Sequence, residues 1–424
     1  MTGVSEQSGA GGLLSGVRVV EMGMWLAGPV AGGVLADWGA EVVKIEPLGG
    51  DPMRRLYTTM SGSREDKCPP FDMFNRGKRS LAIDVNADGS AAVLEQVIAS
   101  ADVFLTNMRP AFLARVGLDA ERLTARYPRL VYASLTGYGP AGPDKDAPGF
   151  DVAAFAARSG IGERMQPPGG PPTSLPGGMG DVVSGMSLVA GICGALFGRE
   201  RTGRGQLVTT SLLRSGIFSI GMDVSARVGL GRVASVKTRQ STSNPLMNSY
   251  PAGDGSWFWL MGAESDKQWP RIVACLGDQG LATDERFATP RDRRRNAAAL
   301  VARLDEIFLT RGRSEWAERF EEHDVWWSPL TAVDDLVTDP QVLASGALGP
   351  GTDADATPED VRVVASPVDF STAPISLPAR GPLVGADTVA VLSGLGFSAK
   401  EIASLEKAGV LQASSPDVSG RNGE

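Results

Sequence analysis

The chain has a single histidine in 424 residues, His323. A Ser–His–Asp or Cys–His mechanism would have to use it. It stands in Phe320-Glu-Glu-His-Asp324, among charges at an expected helix end, where a solvated or capping role fits better than catalysis. Cysteine is scarce too. Cys68, Cys193 and Cys275 lie far apart, so neither a disulfide framework nor a metal-ligand spacing emerges, and a reducing cytoplasmic setting is expected. Positive charge is not in excess: the net charge of −8 argues against nucleic acid as a partner. No uninterrupted apolar run reaches the roughly 18 residues of a membrane span, so no membrane partner is expected. Met1 to Gly12 carry no basic-then-apolar leader pattern. The turn Met22-Gly-Met-Trp-Leu-Ala-Gly-Pro29 lacks G-x-G-x-x-G, so nothing points to NAD. Chemistry is left to carboxylates, hydroxyls, amides and the backbone.

What is present is ordinary globular composition, 42% hydrophobic and 21% charged. The length asks for two domains or one large discontinuous one. Val17–Met22, Glu41–Glu46, Leu81–Val85, Asp102–Thr106, Leu130–Leu135 and Leu207–Ser211 read as strands. Helical patterns alternate with them, from Ala27, from Asp88 to Ala101, and in two short pieces between Pro110 and Tyr127. This alternation predicts an α/β fold, a Rossmann-like parallel-sheet large domain with a smaller α+β domain. Residues 1–225 are assigned to the large domain. Residues 226–345 form the small one, opening with a polar linker at 226–245. Residues 346–424 return to the large domain and end in a disordered tail from about 411. Residues 1–12 are also expected to be disordered. Ligands of such sheets sit beyond the carboxyl ends of the strands. The loops Trp25–Gly28, Asn107–Arg109 and Thr136–Gly139 occupy that position.

Three stretches carry candidate chemistry. In Pro176-Gly-Gly-Met-Gly-Asp181, a carboxylate sits where a Gly-rich loop becomes a helix. Free amides and the helix dipole favour its ionised form, which suits a nucleophile, but Asp is also common in the first turn of any helix. The basic run Asn75-Arg76-Gly-Lys78-Arg79, with Arg54 and Arg55 before it, reads either as a solvated loop or as a phosphate clamp. Trp257-Phe-Trp-Leu-Met261 reads either as core or as an apolar substrate environment.

The ordered set Leu14-Ser-Gly-Val-Arg-Val-Val-Glu21, Ala27-Gly-Pro29, Leu35-Ala-Asp-Trp-Gly-Ala-Glu-Val-Val-Lys-Ile-Glu46, Gly50-Asp-Pro-Met-Arg54, Asn75-Arg-Gly-Lys-Arg-Ser-Leu81, Asp102-Val-Phe-Leu-Thr-Asn107, Leu135-Thr-Gly-Tyr-Gly139, Gly180-Asp181 and Thr202-Gly-Arg-Gly-Gln206 resembles class III CoA-transferases. That family includes formyl-CoA and carnitine CoA-transferases and the related α-methylacyl-CoA racemases. The resemblance implies coenzyme A as a substrate, an acyl-CoA and a carboxylic acid as partners, and an interlocked homodimer. It implies that Asp181 is the nucleophile, carrying CoA as an aspartyl thioester, with oxyanion donors from Gly-rich turns and Tyr138 near the reaction centre. It places CoA contacts at Leu26, Ala27, Asn107, Met108, Arg115 and Thr136. Leu26, Pro47 and Thr136 depart from the Gln, Arg and Lys of formyl-CoA transferases, so Asn75, Arg76, Lys78 or Arg79 are expected to share the phosphate contact. The racemases use a His just before an Asp. Here the pair is Phe150-Asp151, and Phe150 cannot accept a proton, so racemisation becomes the alternative and Asp151 keeps at most an orienting role. A non-catalytic acyl-CoA-binding protein is the other alternative.

Overall fold

The computed structural model describes residues 12–56, 59, 68–352, 362–373, 375 and 377–413. The β-branched runs form six parallel strands: β1 (Arg18–Met22), β2 (Glu41–Glu46), β3 (Arg79–Ile83), β4 (Val103–Thr106), β5 (Val131–Thr136) and β6 (Leu207–Ser211). They lie in the order β3-β2-β1-β4-β5-β6. The strand order reverses between β1 and β4, which opens a crevice at their carboxyl ends.

Successive strand residues point to opposite faces, and each face has its own core. Val19, Val42, Val103, Leu105, Val131 and Ala133 pack with Ala31, Val34 and Leu35 of the helix Ala27–Asp37 and with Leu188, Val189 and Ile192 of the helix Met179–Thr202. Val20, Val43, Ile45, Phe104 and Tyr132 pack with Val93, Leu94 and Val97 of the helix Ser90–Ala99 and with Val391, Leu392 and Ile402 from the C-terminal region. Burial on both faces explains why the inner strands read as continuous apolar runs rather than alternating ones.

The helix Met179–Thr202 corrects one expectation. It has 24 residues and a mean hydropathy of 1.6 over its most apolar window, long and apolar enough to cross a membrane. Gly, Ser and Cys interrupt its sequence, which hides the run. Leu188, Val189, Ile192 and Leu196 are buried against the sheet, the position of a core helix.

The chain divides into two compact units. The first comprises residues 1–163, 174–231 and 341–424, and the second 164–173 and 232–340. In the second, β7 (Met247–Pro251), β8 (Trp257–Met261) and β9 (Trp327–Pro329) form an antiparallel sheet joined through the turn at Gly255. Phe258 and Leu260 are fully buried, while Trp257 and Trp259 point to the exposed face. Trp327 packs its ring against Phe258 and Phe320, and its neighbour Trp326 is exposed. The region expected to be a linker from 226 is helical at its start, because the helix Gly221–Leu230 continues until Gly231 (φ +68°) stops it. His323 caps the end of the helix Arg313–Glu322.

In the first unit, β10 (Leu348–Pro350) pairs antiparallel with β11 (Arg362–Val364). After the helices Thr388–Gly394 and Ala399–Lys407, β12 (Leu411–Gln412) adds antiparallel to the outer edge of β3. The expected tail therefore starts later than 411: Leu411 is buried and laddered to Ile83. Residues 1–11 and 414–424, the other expected disordered ends, lie outside the described residues.

Candidate active site

Asp181 lies in the first turn of the helix Met179–Thr202, entered through Gly178 in the left-handed conformation (φ +80°). A second carboxylate holds that turn. Asp151 Oδ1 accepts a hydrogen bond from the Gly180 amide at 3.0 Å, and the Gly178 amide also donates to Asp151. A Cβ on Gly180 would lie 2.2 Å from Asp151 Oδ1 and from the Phe155 ring, so only glycine fits. Asp151 opens a π-helical stretch, Asp151–Ala157, a rare geometry found mostly at functional sites. Burial raises the Asp151 pKa, and the two glycine amides pull the other way. Burial, with the Asp151 charge adding to it, pushes Asp181 up to about 7. The amides of Met179 and Val182 donate to Pro176 and Gly178 carbonyls. The turn amides at 178, 179, 180 and 182 therefore have internal acceptors.

Beside this turn runs the loop between β1 and the helix Ala27–Asp37. The two helices start side by side: Leu26 Cδ1 is 2.9 Å from where a Gly178 Cβ would stand, and Gly185 packs on Ala27 and Val30. Two side chains clamp the loop. Asn107 Oδ1 accepts from the Met24 amide (3.0 Å) and its Nδ2 donates to the Met24 carbonyl (2.8 Å). Asp51 Oδ1 accepts from the Trp25 amide at 3.1 Å. Trp25 has φ +64°, uncommon for a bulky residue and sustained only where the surroundings over-determine it.

A buried ion network makes those surroundings. Lys44 Nζ contacts Glu21 Oε1 (3.0 Å), Asp51 Oδ2 (2.9 Å) and the Gly23 carbonyl (2.9 Å). Lys78 Nζ contacts Glu21 Oε2 (2.7 Å), Asn75 Oδ1 (3.0 Å) and the Pro29 carbonyl (2.9 Å). Glu46 receives Arg54, Ser80 and the Asp51 amide. Burial alone would raise Glu21, but the Lys44 and Lys78 charges outweigh it and hold the carboxyl low. Burial works against charged Lys44 as well, and Glu21, Asp51 and Glu46 together lift it to about 12. Burial, with the Lys44 charge adding to it, brings Lys78 down to about 8 against the opposing pull of Glu21.

Most of the basic run expected at the phosphates belongs to this interior. Asn75, Arg76 and Lys78 are buried. The Arg76 guanidinium grips Asp37 (2.7 Å) and the Val364 carbonyl (2.8 Å). Arg79 pairs with Glu41 at 2.8 Å, where β2 and β3 begin, the edge of the sheet opposite the strand carboxyl ends. The polar atoms of Asn75, Arg76 and Lys78 are engaged by internal partners, and partly exposed Arg79 lies at the sheet edge away from the crevice.

The crevice itself is a cavity of about 380 Å³ beyond the carboxyl ends of β1 to β4, lined among others by Met24, Pro47, Val85, Asn86, Met108 and Phe112. Met108, expected as a CoA contact, lines this cavity. Arg115 is exposed on the same short helix, Pro110–Arg115, with its guanidinium 5.3 Å from the Phe112 ring. Ala27 is buried at the start of its helix, and Leu26 packs against Met53, Cys68 and Phe71. Thr136 Oγ1 accepts from the Gly139 amide at 3.0 Å and shapes the loop that carries half-buried Tyr138. Gly137 and Gly149 meet backbone to backbone, which brings the Tyr138 loop and the segment leading to Asp151 together. Sequence reasoning missed the role of Asp51 and the hold that Asn107, expected as a CoA contact, has on the Met24 backbone. The Gly50-Asp-Pro-Met-Arg54 motif was the available signal for Asp51.

Residues 14–388 match CoA-transferase family III. The chain is 34% identical over 401 residues to the cinnamoyl-CoA:phenyllactate CoA-transferase of Clostridium sporogenes, covering 93% of this chain and 96% of that one. It is 33% identical over 392 residues to the (R)-2-hydroxy-4-methylpentanoate CoA-transferase of Clostridioides difficile, covering 92% and 97%. Among solved structures, a CaiB/BaiF family protein from Brucella suis superimposes with a TM-score of 0.81 at 30% identity, over 91% of this chain and 100% of that one. With an α/β parallel-sheet core and a family match over nearly its whole length, the chain belongs to CoA-transferase family III and is an enzyme of CoA transfer.

Proposed function

We propose that the enzyme moves CoA from an acyl-CoA donor to a carboxylic acid through an aspartyl-CoA thioester on Asp181. The observation that carries this is the half-buried carboxylate of Asp181 at a helix start, beside a second helix start whose N-cap, Leu26, supplies no side-chain cap. An Asp181 oxygen attacks the thioester carbonyl carbon of the donor, the C–S bond breaks, and CoA leaves as thiolate. The product is a mixed anhydride. The thiolate attacks Cγ of Asp181, the anhydride C–O bond breaks, and the donor acid leaves as carboxylate. The acceptor carboxylate then attacks Cγ and expels the thiolate. The thiolate attacks the acceptor carbonyl and frees Asp181. No net proton is consumed. Splitting the transfer this way replaces one hard step with easier ones.

The tetrahedral oxyanions need preorganised donors, each worth about 3 kcal/mol. The uncapped first-turn amides of the helix Ala27–Asp37 are assigned that task, since the glycine amides serve Asp151. CoA is assigned to the cavity beyond β1 to β4, with Arg115 as a phosphate contact and Asn107 holding the cavity's loop. Tyr138 borders the reaction centre.

An interlocked homodimer belongs to this reading. The helix Gly221–Leu230 buries none of its own residues, and Phe218 and Met222 are 87% and 90% exposed, an apolar surface that a second copy would cover. Sedimentation of the purified chain tests this, a monomer at micromolar concentration contradicting it. Three free cysteines accord with a cytoplasmic site.

The transfer reading is tested by incubating the protein with an acyl-CoA and a second acid in deuterated water. The CoA thioester of the second acid, free of deuterium at its α-carbon, supports it. Deuterium incorporation without a new thioester would favour the racemase, and neither product would favour a binding protein.

A further inference from the structure

The nucleophile's surroundings in the first unit are apolar where they are exposed. Trp25 is 47% exposed, held outward by a left-handed backbone that Asp51 and Asn107 clamp from below. Leu26 continues from it onto Gly178, backed by Met53, Cys68 and Phe71. Met179, two residues before Asp181, is 46% exposed, and Phe150, adjacent to the Asp151 clamp, is 66% exposed. Large apolar side chains normally cost free energy in water, and one held in place by backbone strain has been kept there against two penalties. The electrostatics agree. Burial and the Asp151 charge both act against ionised Asp181, and no Lys or Arg among the described residues offsets them. A second carboxylate on the substrate acid would meet the Asp181 charge and apolar walls, a costly arrangement.

We infer that Trp25 and Leu26, with Met179, form a wall that selects monocarboxylic acids bearing an uncharged apolar chain over dicarboxylic acids. The inference rests on the transfer reading of Asp181. It names Trp25 and Leu26 as specificity residues and gives the buried Lys44–Asp51 pair and Asn107 the task of positioning them.

The experiment uses the purified full-length chain with acetyl-CoA, butanoyl-CoA and 3-phenylpropanoyl-CoA as donors. Acceptors are size-matched pairs: 4-methylpentanoate against glutarate, and 3-phenylpropanoate against pimelate. New thioesters are identified by mass, and kcat/KM is taken for each acid. The expected result is a preference of at least about tenfold for the apolar member of each pair, the scale on which apolar pockets discriminate. Trp25→Gly is the safe variant, because glycine accepts the positive φ without strain. Trp25→Gly and Leu26→Gln should each reduce the preference by roughly tenfold, mainly through KM of the apolar acid, and Leu26→Met should restore it. A preference for the dicarboxylic acids, or a ratio unmoved in both variants, overturns the inference while leaving CoA transfer intact. Absence of any new thioester with every donor, together with no CoA adduct on Asp181, overturns the transfer reading and the inference with it.

Discussion

Asp151 Oδ1 lies 3.0 Å from the amide nitrogen of Gly180, the residue directly before Asp181. One carboxylate therefore fixes the turn that presents the other, and its charge disfavours ionisation of its neighbour.

This relationship sets the pH dependence. Asp181 must be ionised to attack, and its pKa is pushed up to about 7. Accordingly kcat/KM for acyl-CoA should rise as pH increases through about 7 and then level off. Asp151→Asn keeps an oxygen for the Gly180 amide but removes the charge, so the rise should move to lower pH. Asp151→Ala loses the turn clamp as well and should lower kcat about tenfold or more. A profile unchanged in Asp151→Asn would show that Asp151 acts only as a structural cap.

Stability follows with a definite sign. The folded-state pKa of Asp181 is above its ordinary value of 3.8, so the unfolded chain releases this proton first as pH rises. The folded state thus loses stability between pH 3.8 and about 7, and carries the full penalty above that window. Asp181→Asn should be more stable than the wild type at pH 8, by on the order of 2 kcal/mol, with the difference vanishing near pH 4. Denaturant titrations at the two pH values measure this.

The buried network makes a separate claim about Gly32. A Cβ there would lie 1.8 Å from Glu21 Oε2 and 3.1 Å from Lys78 Nζ. Gly32→Ala should destabilise the protein by about 3 kcal/mol or more, because it pries apart a buried, fully engaged ion cluster. A loss below about 1 kcal/mol by urea denaturation would mean that the cluster can shift to make room.

At the cavity, Arg115→Ala should raise KM for acyl-CoA roughly tenfold with little change in kcat, since a phosphate contact acts on ground and transition states alike. Arg79→Ala, at the far edge of the sheet, should leave KM unchanged. Steady-state kinetics on both variants separates the two positions.

The parallel sheet was legible because Val17–Met22, Glu41–Glu46 and Asp102–Thr106 are β-branched runs separated by helix-length segments. Asp181 was legible as a candidate because its glycines announce a turn and its apolar spacing announces a helix. The basic run misled for a physical reason. Arg76 and Lys78 look like surface charge, and nothing local to Asn75–Arg79 reveals that Asp37 and Glu21 wait for them about 40 to 60 residues away, as pairing of buried ions requires. Non-local pairing also hid Asn107 and Asp51, whose partners are backbone amides of Met24 and Trp25. Asp151 was left an orienting role without an object when Phe150 excluded the racemase pattern, and the object is the Gly180 turn, which its carboxylate holds.

The most direct test of the account is covalent. The protein is incubated with acyl-CoA and no acceptor acid, quenched, digested and analysed by mass spectrometry. The account predicts a hydroxylamine-sensitive CoA adduct on the peptide containing Asp181, absent from Asp181→Ala. An unmodified Asp181 peptide in an enzyme that still transfers CoA would contradict it.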